Sequence, residues 1–390
     1  MYDFTTKIDR KNTNSIKWDF CDTILKGKKL FPMWVADMDF AVAPEIQNAI
    51  QERLNHPVYG YTAKSSNADD AFIKWCKLQY NWNINSNHIL FSPGVVPALS
   101  MAVFAFTNPG DGIIIQPPIY PPFFDVVQKT GRTLISNPLL YTEGKYSIDF
   151  NHLENCMKKG ARMLLFCSPH NPVGRVWKYD ELETLAKLAD RYKVLVISDE
   201  IHADIIFSKY RHIPFASVSE TAAQTSITAL APSKTFNIPG LQASALVIAN
   251  NKIRNTFSHI QHGMHLFIPN TFGITAFQAA YEFGSPWLHE LLTYLEGNRD
   301  YLYSQLKKEL PGVACPEIEG TFLAWLDFNS IVTDHKELEK RIYETAQLGL
   351  NNGISFGHKE GTGFMRLNFG TQRSRLEEGI SRLKKILPAQ

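Results

Sequence analysis

Cysteine is scarce in this chain, with 5 in 390 residues. They stand far apart, at Cys21, Cys76, Cys156, Cys167 and Cys315, and none forms a Cys-x-x-Cys pair. This argues against a disulfide scaffold and for a reducing compartment. An excess of one charge is missing too. Lys and Arg number 40 against 38 Asp and Glu, a net charge of +2, so nothing draws the whole molecule to nucleic acid or an anionic membrane. No apolar run approaches the roughly 20 residues needed to span a bilayer. Met1 to Arg10 is polar and has no apolar signal core. There is no G-x-G-x-x-G and no G-K-[ST], the usual nucleotide motifs. His259, His262 and His265 follow three-residue spacing but have no Cys or acidic neighbours, so no metal site is expected. A cytoplasmic protein without nucleic-acid or membrane partners is the expectation.

The length exceeds what one hydrophobic core usually serves, and two subdomains are expected. Residues 1–45 read as an N-terminal arm, 46–283 as a large domain and 284–390 as a small C-terminal domain. Pro44 suits the first turn of a helix over 45–55, and 69–80 reads as an amphipathic helix. Short β-rich runs lie at 88–91, 112–116, 133–136, 163–167, 194–198, 226–229 and 243–249, with helical patterns between them, notably 180–192. Several runs are apolar throughout, as strands covered on both faces should be. The alternation predicts an α/β fold with a mainly parallel sheet. After Gly284 the pattern changes to a long helix over 287–310, a strand over 321–328, a helix over 337–348 and a strand over 364–369 with an inward Arg366. That is a smaller α+β unit, and the N-terminal arm is expected to pack with it.

In parallel α/β sheets ligands sit beyond the carboxyl ends of strands. The unusual residues of this chain fall there. Gly94-Val95-Val96 turns a strand into an apolar helix, a geometry that offers free backbone N–H groups to an anion. Tyr120 follows a proline pair, Asn171 sits in Ser168-Pro169-His170-Asn171-Pro172, and Asp199 opens Asp199-Glu200-Ile201-His202. Lys234 stands in Ala231-Pro232-Ser233-Lys234-Thr235-Phe236-Asn237, among small and apolar neighbours. A lysine desolvated in this way can lose its charge and act as a nucleophile. Each piece has a plainer reading: Asp199 as a helix cap, His202 as a core histidine, Tyr120 and Asn171 as shapers of proline turns. Their order and shared position favour one site. A lysine to form a Schiff base, a buried carboxylate to keep a pyridine nitrogen protonated and amides for a phosphate together match pyridoxal phosphate.

The chain resembles fold-type I pyridoxal-phosphate enzymes of the aminotransferase class I/II superfamily over essentially its full length. Met33-Trp34-Val35-Ala36-Asp37-Met38-Asp39-Phe40, Tyr59-Gly60-Tyr61, the Asn171 and Asp199 strings and Ser233-Lys234-Thr235-Phe236-Asn237 resemble the MalY/PatB branch of cystathionine β-lyases and related C-S lyases. The resemblance implies that Lys234 carries the cofactor and moves the α-proton, and that Asp199 holds the pyridinium. It implies that Tyr120 stacks on the ring, and that Asn171 and His202 flank its phenolic oxygen. Val95, Val96 and Ser233 would bind the phosphate. Tyr59 or Tyr61 would reach the phosphate of the neighbouring subunit in a homodimer. Arg366 would clamp the substrate α-carboxylate, helped by the backbone near Ala36 and Asp37. Two positions depart from the wider superfamily: Ala231 stands where a serine is common and Gln242 where an arginine is common. The implied reaction is β-elimination from cystathionine or cysteine. An aminotransferase using the same residues, and a regulatory protein that retains the fold and binds a transcription factor, are the rival readings.

Overall fold

Ile113, Ile114 and Ile115 are all fully buried, as are Met163, Leu164, Leu165 and Phe166. Strands with no solvent face need a layer on each side, and this sheet has both. Ile113, Ile115, Met163 and Leu165 face a core shared with Val95, Leu99 and Phe123. Their neighbours Ile114, Leu164 and Phe166 face the opposite core, with Leu182, Leu185 and Phe215. The two-residue alternation of a pleated strand thus separates the layers.

The computed structural model describes residues 1–387, so the end of the 284–390 expectation lies outside the described residues. Seven strands form the large sheet, in the order Ile89–Ser92, Ser244–Val247, Ser226–Leu230, Leu195–Asp199, Met163–Cys167, Gly112–Ile115, Thr133–Ser136. All neighbouring pairs are parallel except those made by Ser244–Val247, which runs antiparallel to both its neighbours. The sheet is therefore mainly parallel, with one reversed strand. The chain leaves Leu230, makes the Lys234 turn with its short helix Pro232–Thr235, and returns alongside in the opposite direction.

Helix ends follow local chemistry. Pro44 begins the helix Pro44–Asn55. Ser65 caps Ser66–Tyr80 by accepting from the Ala68 N–H, and Asn81 ends it in the left-handed conformation. Asn250 and Asn270 cap Asn251–Gly263 and Thr271–Phe283.

The C-terminal part carries a three-stranded antiparallel sheet of Leu323–Asp327, Phe364–Asn368 and Asn351–Asn352, beside the long helix Ser285–Glu309. The N-terminal arm packs here. Phe31–Pro32 pairs with Leu348–Gly349, and Phe4 packs edge-on against Phe40 and Trp287. That pairing corrects the helix expected over 337–348. The helical stretch ends with Thr345, Gln347 takes a φ of 49°, and Leu348 is drawn into the pairing. Ile342, Tyr343, Ala346 and Leu348 are all buried, so apolar spacing alone did not reveal the break. A small hairpin, Leu140–Thr142 with Lys145–Ser147, and a short helix, Cys21–Leu25, within the arm were not anticipated.

Candidate active site

Five strand ends converge on a cavity of about 510 Å³. After Ser92, Gly94 leads into the helix Val95–Phe106, whose N-terminus has no side-chain cap. Its first N–H groups are therefore left for something else. After Ile115 the chain reaches Tyr120, and after Cys167 it reaches Asn171. Asp199 is the last residue of its strand, and Lys234 lies in the four-residue helix Pro232–Thr235. Ala36, Val95, Val96, Tyr120, Asn171, Asp199, His202, Ser233 and Lys234 all line the cavity. Gln242, Cys167 and Leu266, which sequence reasoning did not assign to the site, line it as well.

Burial governs the electrostatics of the cavity. Asp199 is buried, and its carboxylate accepts one backbone N–H, from Ile201 at 3.1 Å. No basic side chain lies within ion-pair distance of it among the described residues. Burial pushes its pKa up to about 7. Burial acts oppositely on Lys234 and lowers it to about 8, while Asp37 and Asp199 hold it from falling further. The Lys234 Nζ donates to the carbonyl oxygen of Ala36 at 2.6 Å. His202 is buried with its Nδ1 unpartnered, and desolvation keeps it neutral by lowering its pKa well below the usual value.

Arg366 stands one layer behind the cavity wall. It donates to Asn171 Oδ1 at 3.0 Å, to the Trp34 carbonyl at 3.1 Å and to Asn351 Oδ1 at 2.6 Å. Its guanidinium lies 4.9 Å from the Phe356 ring centroid. Its Nε is buried and unpartnered, and burial lowers its pKa to about 10. Tyr120 is close enough for the two to influence each other's ionisation.

Other named residues lie elsewhere. The Asp37 carboxylate does not line the cavity. Arg10 grips it through both nitrogens, at 2.9 and 2.7 Å, so of this pair only Ala36 borders the space. Asp39 is tied to Lys17 and Arg10, both at 2.8 Å, and to Trp18 Nε1 at 3.0 Å. Tyr59 and Tyr61 are exposed and outside the lining of this chain's cavity. The Tyr59 hydroxyl donates to the Leu54 carbonyl at 2.8 Å.

Sequence reasoning also missed the asparagines that hold residues 34–40 in place. Asn368 Nδ2 donates to the Val35 and Asp37 carbonyls at 2.6 Å each. Asn237 Nδ2 donates to Met38 and Phe40, at 3.0 and 2.8 Å, and its Oδ1 accepts from the Met38 N–H at 2.9 Å. Asn237 has a φ of 57°, and asparagine tolerates that region better than most residues. That tolerance was the one signal available in the sequence.

A mainly parallel α/β sheet with lysine, aspartate and asparagine at its strand ends, backed by an arginine from a second sheet, defines a class of fold. The sequence pattern of aminotransferase class I and II matches residues 33–383, and the chain belongs to that family. It is 42% identical to cystathionine beta-lyase PatB of Bacillus subtilis, over 98% of this chain and 99% of that protein. Cystalysin from Treponema denticola, whose crystal structure contains pyridoxal 5'-phosphate, superposes with a TM-score of 0.95. The identity is 39%, covering 99% of this chain and 98% of that one. The pyridoxal-phosphate-bound C-S lyase from Staphylococcus hominis gives a TM-score of 0.93 at 34% identity, over 100% and 99% of the two chains.

Proposed function

We propose that this chain is a pyridoxal-phosphate-dependent C-S lyase that cleaves the β-carbon–sulfur bond of a sulfur amino acid. The observation that carries the reading is one cavity holding a lysine of lowered pKa and a buried carboxylate of raised pKa that makes no ion pair among the described residues. The 42% identity to a cystathionine β-lyase supports the choice of reaction.

The residues fit the cofactor. The free N–H groups of Val95 and Val96 and the Ser233 hydroxyl would hold its phosphate. Tyr120 would pair with its ring, and Asn171 and His202 with its phenolic oxygen. Asp199 would keep its ring nitrogen protonated, and that positive charge would supply the partner the carboxylate lacks. Lys234 would carry the covalent link. When bound, pyridoxal phosphate supplies an electron sink for negative charge at the substrate α-carbon.

The chain's own residues account for the rest. Arg366, which reaches the cavity wall through its bond to Asn171, would bind the substrate carboxylate. Its orientation is already set by Asn171, Asn351, the Trp34 carbonyl and Phe356, which reduces the ordering needed on binding. The planar guanidinium suits a carboxylate in a way lysine cannot reproduce. Lys234, once the substrate amine has replaced it in the covalent link, would take the α-proton onto Nζ, and its burial favours the neutral amine that this requires. The Cβ–S bond then breaks and sulfur leaves with the electron pair as a thiolate. The released aminoacrylate hydrolyses to pyruvate and ammonia.

The proposal extends to a homodimer. Lys234 is the one cationic side chain lining the cavity among the described residues, so the phosphate has little neutralisation from this chain. Exposed Tyr59 or Tyr61 would reach it from the neighbouring subunit. The five free cysteines support a cytoplasmic enzyme. No helix among the described residues is long and apolar enough to cross a membrane. Cystathionine and cysteine are the proposed substrates, within cysteine metabolism and methionine biosynthesis. Sustained turnover of either with no keto acid present tests the reading. An aminotransferase would stop once its cofactor had accepted one amino group.

A further inference from the structure

Beside the helix that carries Lys234, outside the cavity lining, lies a half-buried carboxylate that the proposed reaction does not use. Asp204 accepts from Thr235 Oγ1 at 2.7 Å, from Trp75 Nε1 at 3.0 Å and from the Tyr80 hydroxyl. All three donors are neutral, and burial raises the Asp204 pKa. Trp75 and Tyr80 belong to the helix Ser66–Tyr80, so Asp204 joins that helix to the turn that carries the lysine.

Two features give the junction a role beyond packing. Thr235 adjoins Lys234, and their helix, Pro232–Thr235, has four residues and no side-chain cap. So short a helix cannot hold a direction alone, and its orientation must come from bonds outside it. Thr235 is fully buried, and its hydroxyl supplies such a bond to Asp204. Asn237 supplies another, toward Met38 and Phe40, and Lys234 itself a third, to the Ala36 carbonyl. Asp204 also sits five residues beyond Asp199, in a compact turn. Ala203 N–H donates to the Glu200 carbonyl and Ile205 N–H to that of His202, both at 3.0 Å. One turn therefore carries Asp199 into the cavity and Asp204 to the back of the lysine helix.

We propose that Asp204, acting through Thr235, is a positioning residue that sets Lys234 in register with Asp199. Resting on the lyase reading, it names a further residue of the same site. The two groups must meet opposite ends of one cofactor ring system, and a misplacement of about 1 Å in such a pair lowers turnover by roughly 100-fold.

The test uses the cofactor-loaded full chain and Thr235→Val, which removes the hydroxyl and keeps the shape, beside Thr235→Ser, which keeps the hydroxyl. Three readouts apply: the pH midpoint of the bound cofactor's visible absorption, kcat against KM, and the melting temperature. Thr235→Val is expected to move the pH midpoint and lower kcat roughly 10- to 100-fold with KM little changed. Thr235→Ser is expected to restore both. Thr235→Ala tests the same bond should the valine variant fail to fold. A hydroxyl-free variant with the parent's pH midpoint and kcat would overturn the proposal, whatever its melting temperature. The spectral midpoint needs no turnover, so a parent inactive on sulfur amino acids would overturn the lyase reading while the midpoint still decides the role of Asp204.

Discussion

The Nζ of Lys234 and the carbonyl oxygen of Ala36 are 2.6 Å apart, joined by a hydrogen bond across 198 residues of sequence. The bond links the turn after the strand Ser226–Leu230 to residues 34–40, which side chains of the C-terminal sheet also hold. Lys234 is thus kept in the cavity by a neutral acceptor, which does little to hold its charge. Lys234→Ala is expected to abolish the visible absorption of the lysine-linked cofactor and to lower turnover roughly 100- to 10,000-fold. Absorbance spectra of the purified variant check the first, and thiol release the second.

The Asp199 and Lys234 shifts have opposite consequences for the stability of the cofactor-free chain. Asp199 is raised from 3.8 to about 7, so the folded form holds its proton more tightly than the unfolded form. Its contribution is full below 3.8 and is lost as pH rises through about 7. Lys234 is lowered from 10.5 to about 8. Its contribution is present above 10.5 and is lost as pH falls through about 8. Asp199→Asn should flatten the acid-side decline. It should also extend the Lys234 limb slightly downward, because the Asp199 charge supports the ammonium. Urea unfolding across a pH series measures both limbs, and an unchanged acid limb would contradict the assignment.

Arg366→Lys removes a planar group that serves Asn171, Asn351 and the Trp34 carbonyl together. A lysine ammonium cannot span those partners and a substrate carboxylate. The loss of a charge-assisted bond of about 1.5–3 kcal/mol corresponds to roughly 10- to 100-fold weaker binding. The expected result is a higher KM, with kcat falling less. Steady-state kinetics on a good substrate would show the split.

Lys17 and Asp39 form a nearly fully buried pair at 2.8 Å, each side chain 1% exposed. Lys17→Met would leave Asp39 with Arg10 and Trp18. Breaking a buried pair usually costs about 3–5 kcal/mol. With Arg10 still in place, a loss of about 2–3 kcal/mol is expected here. Adding Asp39→Asn should recover little of it, because Asp39 stays paired with Arg10 in the single variant and the double variant breaks that pair as well. Chemical denaturation of the single and double variants measures the coupling.

That Val95, Tyr120, Asn171, Asp199 and Lys234 share one cavity was legible because each follows a recognisable strand. Asp199 and Asn171 come directly after apolar runs, and Lys234 after a small-residue turn, so position along the chain implied position in space. What was not legible depends on partners far away in sequence. Nothing in Asn368 says that its amide will hold the carbonyls of Val35 and Asp37. Nothing in Asp204 says that its donors come from residues 75, 80 and 235. Nor does anything in Asp37 say that its carboxylate will turn to Arg10 while the neighbouring Ala36 borders the cavity. Leu348 shows the limit of periodicity, since its burial fits a continued helix equally well until Phe31 is seen beside it.

The most direct measurement is pyruvate and ammonia release from L-cystathionine and from L-cysteine, by purified cofactor-loaded protein with no keto acid added. Steady production of the two in equal amounts is the predicted result, and the ratio of the two rates would rank the substrates. No pyruvate from either, with the cofactor spectrum converting once and then halting, would contradict β-elimination and move the chain to amino-group transfer.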